Sequence, residues 1–250
     1  MKLLTFLILL FYSTFTLSKE LNIGVESGYP PFSSKDINGN LYGFDIDIAY
    51  TICQEMGIKC IFKEMDFNEL LPAMIDGKID LIVASMAKTK EREEKIDFSI
   101  AYYRAKPVVI GKMGTFYSGK NFFINKTIAI QGGTIQETYA KNLSANNTKV
   151  ISTSTFDESV NLLVEGKVDA VFGDTLSAFF FLTENGNGDK FEIIGNLPDI
   201  PNSPDVSYAY IGIQKNNKEL QRKVNDIIQR IHQNGTLGKM SRKYFPFEIY

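Results

Sequence analysis

Beyond its first twenty residues the chain alternates short apolar runs with amphipathic stretches. LNIGVE (21–26) predicts a strand. DIDIAYTICQEM (45–56) predicts a helix, with acids at its start, where the helix dipole favours them, and Gly57 as its stop. CIFKEM (60–65) predicts a strand, FNELLPAMIDG (67–77) a helix, IDLIVAS (79–85) a strand and KEREEKI (90–96) the start of a helix. Strands alternating with helices in this way argue for an α/β fold built on parallel, doubly wound sheets.

The pattern contains an internal echo. IDGKIDLIVAS, ending at Ser85, is matched 89 residues later by VEGKVDAVFGD, ending at Asp174. An amphipathic helix precedes each, NELLPAM in one and ESVNLL in the other. The Gly-Lys pair turns the chain, and the apolar run returns as a buried strand. Ser85 and Asp174 are thus expected at equivalent places just past the carboxyl end of a strand, the end that faces the ligand crevice in open α/β sheets. Two similar lobes follow from the echo. Extended segments at about 102–112 and 206–215 are expected to cross between them, giving lobe one as 19–104 plus 210–250 and lobe two as 105–209. Lobe one ends in an amphipathic helix, a break at the Asn-Gly-Thr of 234–236 and a second short helix. His232, the only histidine, sits on the first of these as a surface residue.

Composition adds bounds. The chain has 250 residues, 44% hydrophobic and 22% charged, with a formal net charge of −2, so no basic face suggests nucleic acid. The N-terminus has Lys2, an apolar run from Leu3 to Phe15, then Thr16 and Ser18. That is the form of a secretory signal peptide over residues 1–18, cleaved before Lys19. The run is short of the roughly 20 residues a spanning helix needs, and no cysteine stands by the cleavage point to take a lipid. Two cysteines, Cys53 and Cys60, in an exported chain point to a disulfide that staples a helix end to the next strand. Two buried free thiols are the other reading. A metal site is not indicated, with no histidine nearby.

Serine or cysteine triads have no support with a lone histidine in a C-terminal helix, and there is no P-loop. Three stretches could hold a ligand. Arg92 lies three residues after Thr89, a candidate helix cap, in a first turn at the crevice rim. The Gly-Gly-Thr turn of IAIQGGTIQETYAKN (128–142) leads from a strand into a helix; it either exposes backbone N–H groups to an anion or merely caps the helix. In GVESGYPPFSS (24–34), Glu26, Tyr29 and Phe32 follow the first strand. An acid beside an aromatic there suits an organic cation, or else is a solvated loop acid beside a core tyrosine.

Taken together, GVESGYPPF, GFDIDIA, the two cysteines, MDFNELLPAMIDGKIDLIVASMAKTKEREEKIDFS, QGGTIQETYA, VDAVFGD and NGTLGKMSRKYFPFEIY resemble the polar amino-acid-binding proteins of bacterial ABC importers, especially those for lysine/arginine/ornithine and for histidine. The resemblance covers essentially the whole mature chain. It implies a two-lobed periplasmic binding protein fold (type II), each lobe a mixed sheet flanked by helices, with two hinge crossings. The cysteine spacing also matches the small disulfide of that subgroup.

By the resemblance, Arg92 grips the ligand α-carboxylate; a planar guanidinium suits it through two charge-assisted hydrogen bonds. Thr134 and the Gly133 backbone form the second-lobe carboxylate clamp. Asp174 receives the α-ammonium with Ser85, while Ala84 offers only backbone. Tyr29 and Phe67 sandwich the side chain, and Glu26 faces its far end. Asp45 either reaches that end or caps a helix. Ala87 stands where the family has Ser or Thr, leaving only backbone there, and Ile135 stands where the nearest relatives carry glutamine. The implied function is periplasmic capture of an L-amino acid and delivery to ABC permease subunits, by a monomer without cofactor, metal or enzymatic activity. A basic ligand is expected, arginine first, then lysine, ornithine or histidine. Glutamine or cystine is the polar alternative, and a cyclohexadienyl dehydratase is the enzyme built on the same fold. A sensory role, docking on a receptor, shares the same pocket.

Overall fold

The computed structural model describes residues 20–143, 147–184, 186–197 and 206–250; the expected signal peptide, residues 1–18, lies outside them. Two five-stranded mixed sheets carry the fold. The first is ordered β4 (Lys59–Glu64), β1 (Glu20–Val25), β5 (Leu81–Met86), β12 (Tyr208–Ile213), β6 (Asp97–Arg104). The second is ordered β11 (Phe191–Asn196), β7 (Pro107–Lys112), β10 (Ala170–Asp174), β8 (Thr127–Gln131), β9 (Lys149–Thr153). In each, three neighbouring strands pair in parallel, joined by helical crossovers, and a single strand, β12 in the first sheet and β7 in the second, runs antiparallel to the other four. A small hairpin, β2 (Ser34–Lys35) with β3 (Leu41–Tyr42), stands apart.

Helices α1 (Phe44–Met56), α2 (Phe67–Ile75), α3 (Lys90–Lys95), α7 (Lys218–Gln233) and α8 (Thr236–Ser241) belong with the first sheet. Helices α4 (Ile135–Leu143), α5 (Phe156–Val164) and α6 (Thr175–Thr183) pack on the second. Helices on both faces explain why the inner strands are continuously apolar: Leu81, Ile82 and Val83 are fully buried, as are Ile128, Ala129 and Ile130.

The two halves of the echo fold alike, down to single hydrogen bonds. Gly77 and Gly166 take the left-handed conformation (φ 69° and 71°), which lets each helix turn straight into a strand. Asp80 then accepts from the Asn22 N–H (2.8 Å) while its own N–H donates to the Asn22 carbonyl (2.7 Å). Asp169 repeats both bonds with Thr127, at 2.8 and 2.7 Å. These paired clasps fix the register of β1 against β5 and of β8 against β10. Ser85 is the next-to-last residue of β5 rather than past the strand; Asp174 is the last residue of β10 and also the N-cap of α6.

The chain crosses between sheets at residues 105–106, from β6 to β7, and returns before β12. The Ala105 N–H donates to the Ser207 carbonyl (2.9 Å), tying the two crossings together. Tyr208 and Ala209 pair with Arg104 and Tyr103, so β12 enters the first sheet two residues before the expected 210.

Cys53 and Cys60 form a disulfide. Helix α1 ends at Gly57 in the left-handed conformation, its N–H bonded to the carbonyls of Cys53 and Gln54. The bridge links the last turn of α1 to β4 across a sequence separation of 7. Closing so short a loop stabilises the fold by roughly 2–3 kcal/mol on chain-entropy grounds. Reduction, or Cys53→Ser with Cys60→Ser, is therefore expected to lower the unfolding free energy by about that amount in urea melts, with the m-value little changed.

Candidate ligand-binding site

The carboxyl ends of the strands of the two sheets face each other across a closed cleft, and one pocket lies in the seam. Glu26, Tyr29, Phe67, Ala84, Ser85, Ala87, Arg92, Thr134 and Asp174 all line it. Gly133 does not, although it stands beside Arg92.

Arg92 is aimed inward by a local device. The Thr89 hydroxyl accepts from the Arg92 N–H (3.2 Å) and caps α3, a six-residue helix otherwise made of charged residues. The Arg92 side chain turns back toward the cleft and is 8% exposed. Its Nη1 donates to the Ala87 carbonyl (2.6 Å) and its Nη2 reaches across to the Gly133 carbonyl (2.9 Å). The guanidinium lies 5.6 Å from the centre of the Phe67 ring. Burial lowers its pKa to about 10, so it stays charged at neutral pH. Among the described residues no carboxylate makes an ion pair with it.

Three buried acids surround the same seam: Glu26 (2% exposed), Asp45 (0%) and Asp174 (7%). Burial pushes Glu26 up to about 8 and Asp45 up to about 7, and it raises Asp174 as well. Asp174 divides its oxygens. Oδ1 accepts from the Leu176 and Ser177 N–H groups (2.7 and 3.1 Å) at the start of α6, while Oδ2 accepts from the Tyr29 hydroxyl of the opposite lobe. Glu26 accepts from the Gln131 amide, again across the cleft. The Asp157 N–H donates to the Gly28 carbonyl (3.1 Å), and a Cβ on Gly133 would meet the Asn68 backbone at 2.8 Å. The lobes are thus in contact, with their polar groups satisfied by one another.

The Gly-Gly-Thr turn behaves as a helix cap in part. The Thr134 hydroxyl donates to the Gln131 carbonyl (2.7 Å) and accepts from the Glu137 N–H (3.2 Å). The Gly133 N–H donates to Glu137 Oε2 (2.9 Å) and so does not face the pocket. Ala87 and Ile135, where hydroxyl and amide were expected, pack in one apolar cluster.

Sequence reasoning passed over Gln131, Phe156 and Gln136, all of which line the pocket. The echo held the signal for two of them. Phe156 stands as far before Asp174 as Phe67 stands before Ser85, each as first residue of its helix. Gln131 follows the clasped Thr127 by the same step as Glu26 follows the clasped Asn22. The pocket is thus walled by three equivalent pairs: Glu26 and Gln131, Phe67 and Phe156, Ser85 and Asp174.

Two mixed sheets meeting at their strand ends over a small charged pocket define a two-lobed binding protein. Residues 21–247 match the profile of the bacterial extracellular solute-binding proteins, family 3, and the chain belongs to that family. It is 33% identical over 245 residues to the L-arginine-binding protein of Pseudomonas aeruginosa, covering 95% of this chain and 92% of that one. It is 30% identical over 240 residues to the lysine/arginine/ornithine-binding periplasmic protein of Escherichia coli, covering 94% and 90%. Among solved structures, an ancestral arginine-binding protein bound to arginine superposes with a TM-score of 0.82 at 33% identity, covering 90% of this chain and 98% of that one. An ancestral amino acid-binding protein, a precursor of cyclohexadienyl dehydratase, gives 0.78 at 27% identity over 90% and 95%.

Asp174 serves both the helix and the pocket, and the two roles separate by substitution. Asn caps a helix about as well as Asp, so Asp174→Asn is expected to leave the melting temperature nearly unchanged. It is expected to weaken capture of a solute bearing an ammonium by about 100-fold, roughly 3 kcal/mol, read by calorimetry.

Proposed function

We propose that the protein captures a basic L-amino acid, arginine first and then lysine, ornithine or histidine, between lobes that close over it. The observation that carries this reading is the charge set around the pocket: one buried guanidinium, Arg92, and two buried carboxylates, Asp174 and Glu26. A solute with one carboxylate and two cationic groups complements that set. A neutral amino acid gains no ionic partner from Glu26, which disfavours it against a basic one. The named specificities of the two relatives support the same choice.

In this assignment Arg92 pairs with the α-carboxylate, helped by the backbone N–H groups at Thr134 and Ala87. The α-ammonium takes Asp174 Oδ2 in place of the Tyr29 hydroxyl, with Ser85 as a second acceptor and Ala84 supplying backbone. Glu26 meets the cationic end in place of the Gln131 amide, and the rings of Tyr29 and Phe67 flank the stem. Closure removes the ions from water and strengthens each pairing. Opening breaks the cross-cleft bonds at the crossings' far side, a hinge motion about residues 105–106 and the return strand.

The protein acts in this reading as a periplasmic, monomeric carrier that hands its ligand to an ABC permease; the periplasmic relative supports the location. A dehydratase is the reading from another class. It needs an acid and a base free to move protons, whereas Asp174 has one oxygen committed to the N–H groups that open α6 and offers the other to the ammonium, which supports binding without turnover. Turnover of arogenate or prephenate would reverse that judgement.

Calorimetry against the twenty amino acids and ornithine tests the proposal. Arginine is expected to bind most tightly. No binding of any of them would sink the reading, and binding of neutral amino acids alone would sink the basic preference. A second outcome follows from Glu26, whose pKa of about 8 keeps it largely protonated at neutral pH. A ligand cation favours the carboxylate, so binding should expel most of one proton there. The affinity for arginine relative to neutral citrulline should rise as pH climbs from about 6 to about 8 and level off above. Glu26→Gln should flatten this ratio; an unchanged ratio would remove Glu26 from the assignment.

A further inference from the structure

Asp45 is the most deeply buried acid of the seam, yet it does not line the pocket. Helix α1 places it there. Gly43, at φ 134°, packs so close to the Phe32 carbonyl that a Cβ would lie 2.2 Å away, and this tight entry leads straight into the helix. The Asp45 N–H donates to the Phe32 carbonyl (2.9 Å), so its position is fixed by backbone. Its carboxylate receives two hydroxyls. Tyr102 donates to Oδ1 (2.7 Å), and Ser85 donates to Oδ2 (2.8 Å). The triangle closes where the Ser85 N–H donates to the Tyr102 oxygen (3.2 Å). Ser85 itself has φ 51°, the left-handed region that a non-glycine residue enters only when its surroundings hold it there.

A serine hydroxyl has one proton and two lone pairs. With Asp45 ionised, above its pKa of about 7, that one proton is spent on Asp45. We propose that Asp45 is a positioning residue for the α-ammonium: by holding the only hydroxyl proton of Ser85, it makes the Ser85 oxygen a pure acceptor at the pocket wall. An ammonium offers donors alone, so an acceptor with no competing proton is what it needs. The same arrangement rejects groups that can only accept. Tyr102 supports this from behind, since its proton also goes to Asp45 and its oxygen takes the Ser85 N–H. The inference rests on the amino-acid-binding reading above and extends it to a residue outside the pocket.

The test compares two ligands. Arginine carries carboxylate, ammonium and guanidinium; 5-guanidinopentanoate keeps the carboxylate and guanidinium and lacks the ammonium. Both are titrated by calorimetry into the wild-type chain, Asp45→Asn, Ser85→Ala and the double variant. The amide of Asn brings its own donors to a site that now receives two, so the Ser85 proton is turned out toward the ligand. For Asp45→Asn, arginine affinity is expected to fall roughly 10- to 100-fold, the span of one lost or opposed hydrogen bond to a charged group. The affinity for the desamino compound should change less than about twofold. In the Ser85→Ala background, Asp45→Asn should cost no further arginine affinity, because its effect passes through that hydroxyl. Equal losses for both ligands, additive losses in the double variant, or no loss at all would each overturn the assignment. If the wild-type chain binds no arginine, the functional reading itself falls. Wild-type binding with equal losses sinks only the role of Asp45. Melting temperatures of all variants show whether folding contributes.

Discussion

The structure turns on a closed seam that buries ionisable groups. Arg92, Glu26, Asp45 and Asp174 are all buried there, and each charge must find polar partners or shift its protonation. The protein answers by crossing the cleft: Tyr29 to Asp174, Gln131 to Glu26, Arg92 to the Gly133 carbonyl. These bonds join the lobes only weakly in net terms, because each replaces hydration that the open cleft would supply. A solute that brings its own donors and acceptor to the same atoms takes over those bonds without leaving an ion unpaired. On the proposed assignment closure and recognition are one event, since the groups that hold the lobes together are the groups assigned to the ligand.

Symmetry of the repeat explains how so few residues converge. The aspartate clasps at Asn22–Asp80 and Thr127–Asp169 set both sheets in register, and the strand ends meet in matched pairs. The pairs then diverge in chemistry. Glu26 faces a neutral amide, and neutral Ser85 faces the acid Asp174. An acid on one side and a neutral polar group on the other gives a cation a preferred partner without placing two carboxylates side by side, where one would be forced to protonate.

Much of this could be read from residues alone, and the limits have physical reasons. The strand–helix alternation survives because parallel strands need apolar runs and their crossovers need amphipathic ones, so IDLIVA and VDAVFG announce themselves. The disulfide was expected from an even cysteine count and the resemblance. The place of Arg92 followed from Thr89 as a cap, since a capped first turn fixes which way the helix points. Gln131 and Phe156 were missed although the echo implied them, because a lone glutamine or phenylalanine at a strand or helix end carries no charge pattern of its own. Asp45 stayed ambiguous between cap and contact. Its partners, Ser85 and Tyr102, lie far along the chain, and only tertiary geometry brings them to one carboxylate. The Gly133 N–H, expected to face an anion, is instead taken by Glu137, a contact within the first turn of the helix that spacing alone leaves open.

The two departures from the resembled family bear on where specificity resides. Ala87 removes a hydroxyl from the carboxylate end, and Ile135 removes an amide beside it; both now pack in an apolar cluster that also holds Val109, Ile128 and Phe172. In the proposed assignment the carboxylate end is left with the guanidinium of Arg92 and backbone N–H groups, a clamp common to every α-amino acid. Drier surroundings strengthen that ionic pair but add nothing that tells one amino acid from another. Discrimination therefore moves to the opposite end, to Glu26, Gln131 and the paired rings of Tyr29, Phe67 and Phe156. On the proposed assignment, such a pocket would hold any amino acid by its backbone and choose among them by the charge at the end of the side chain.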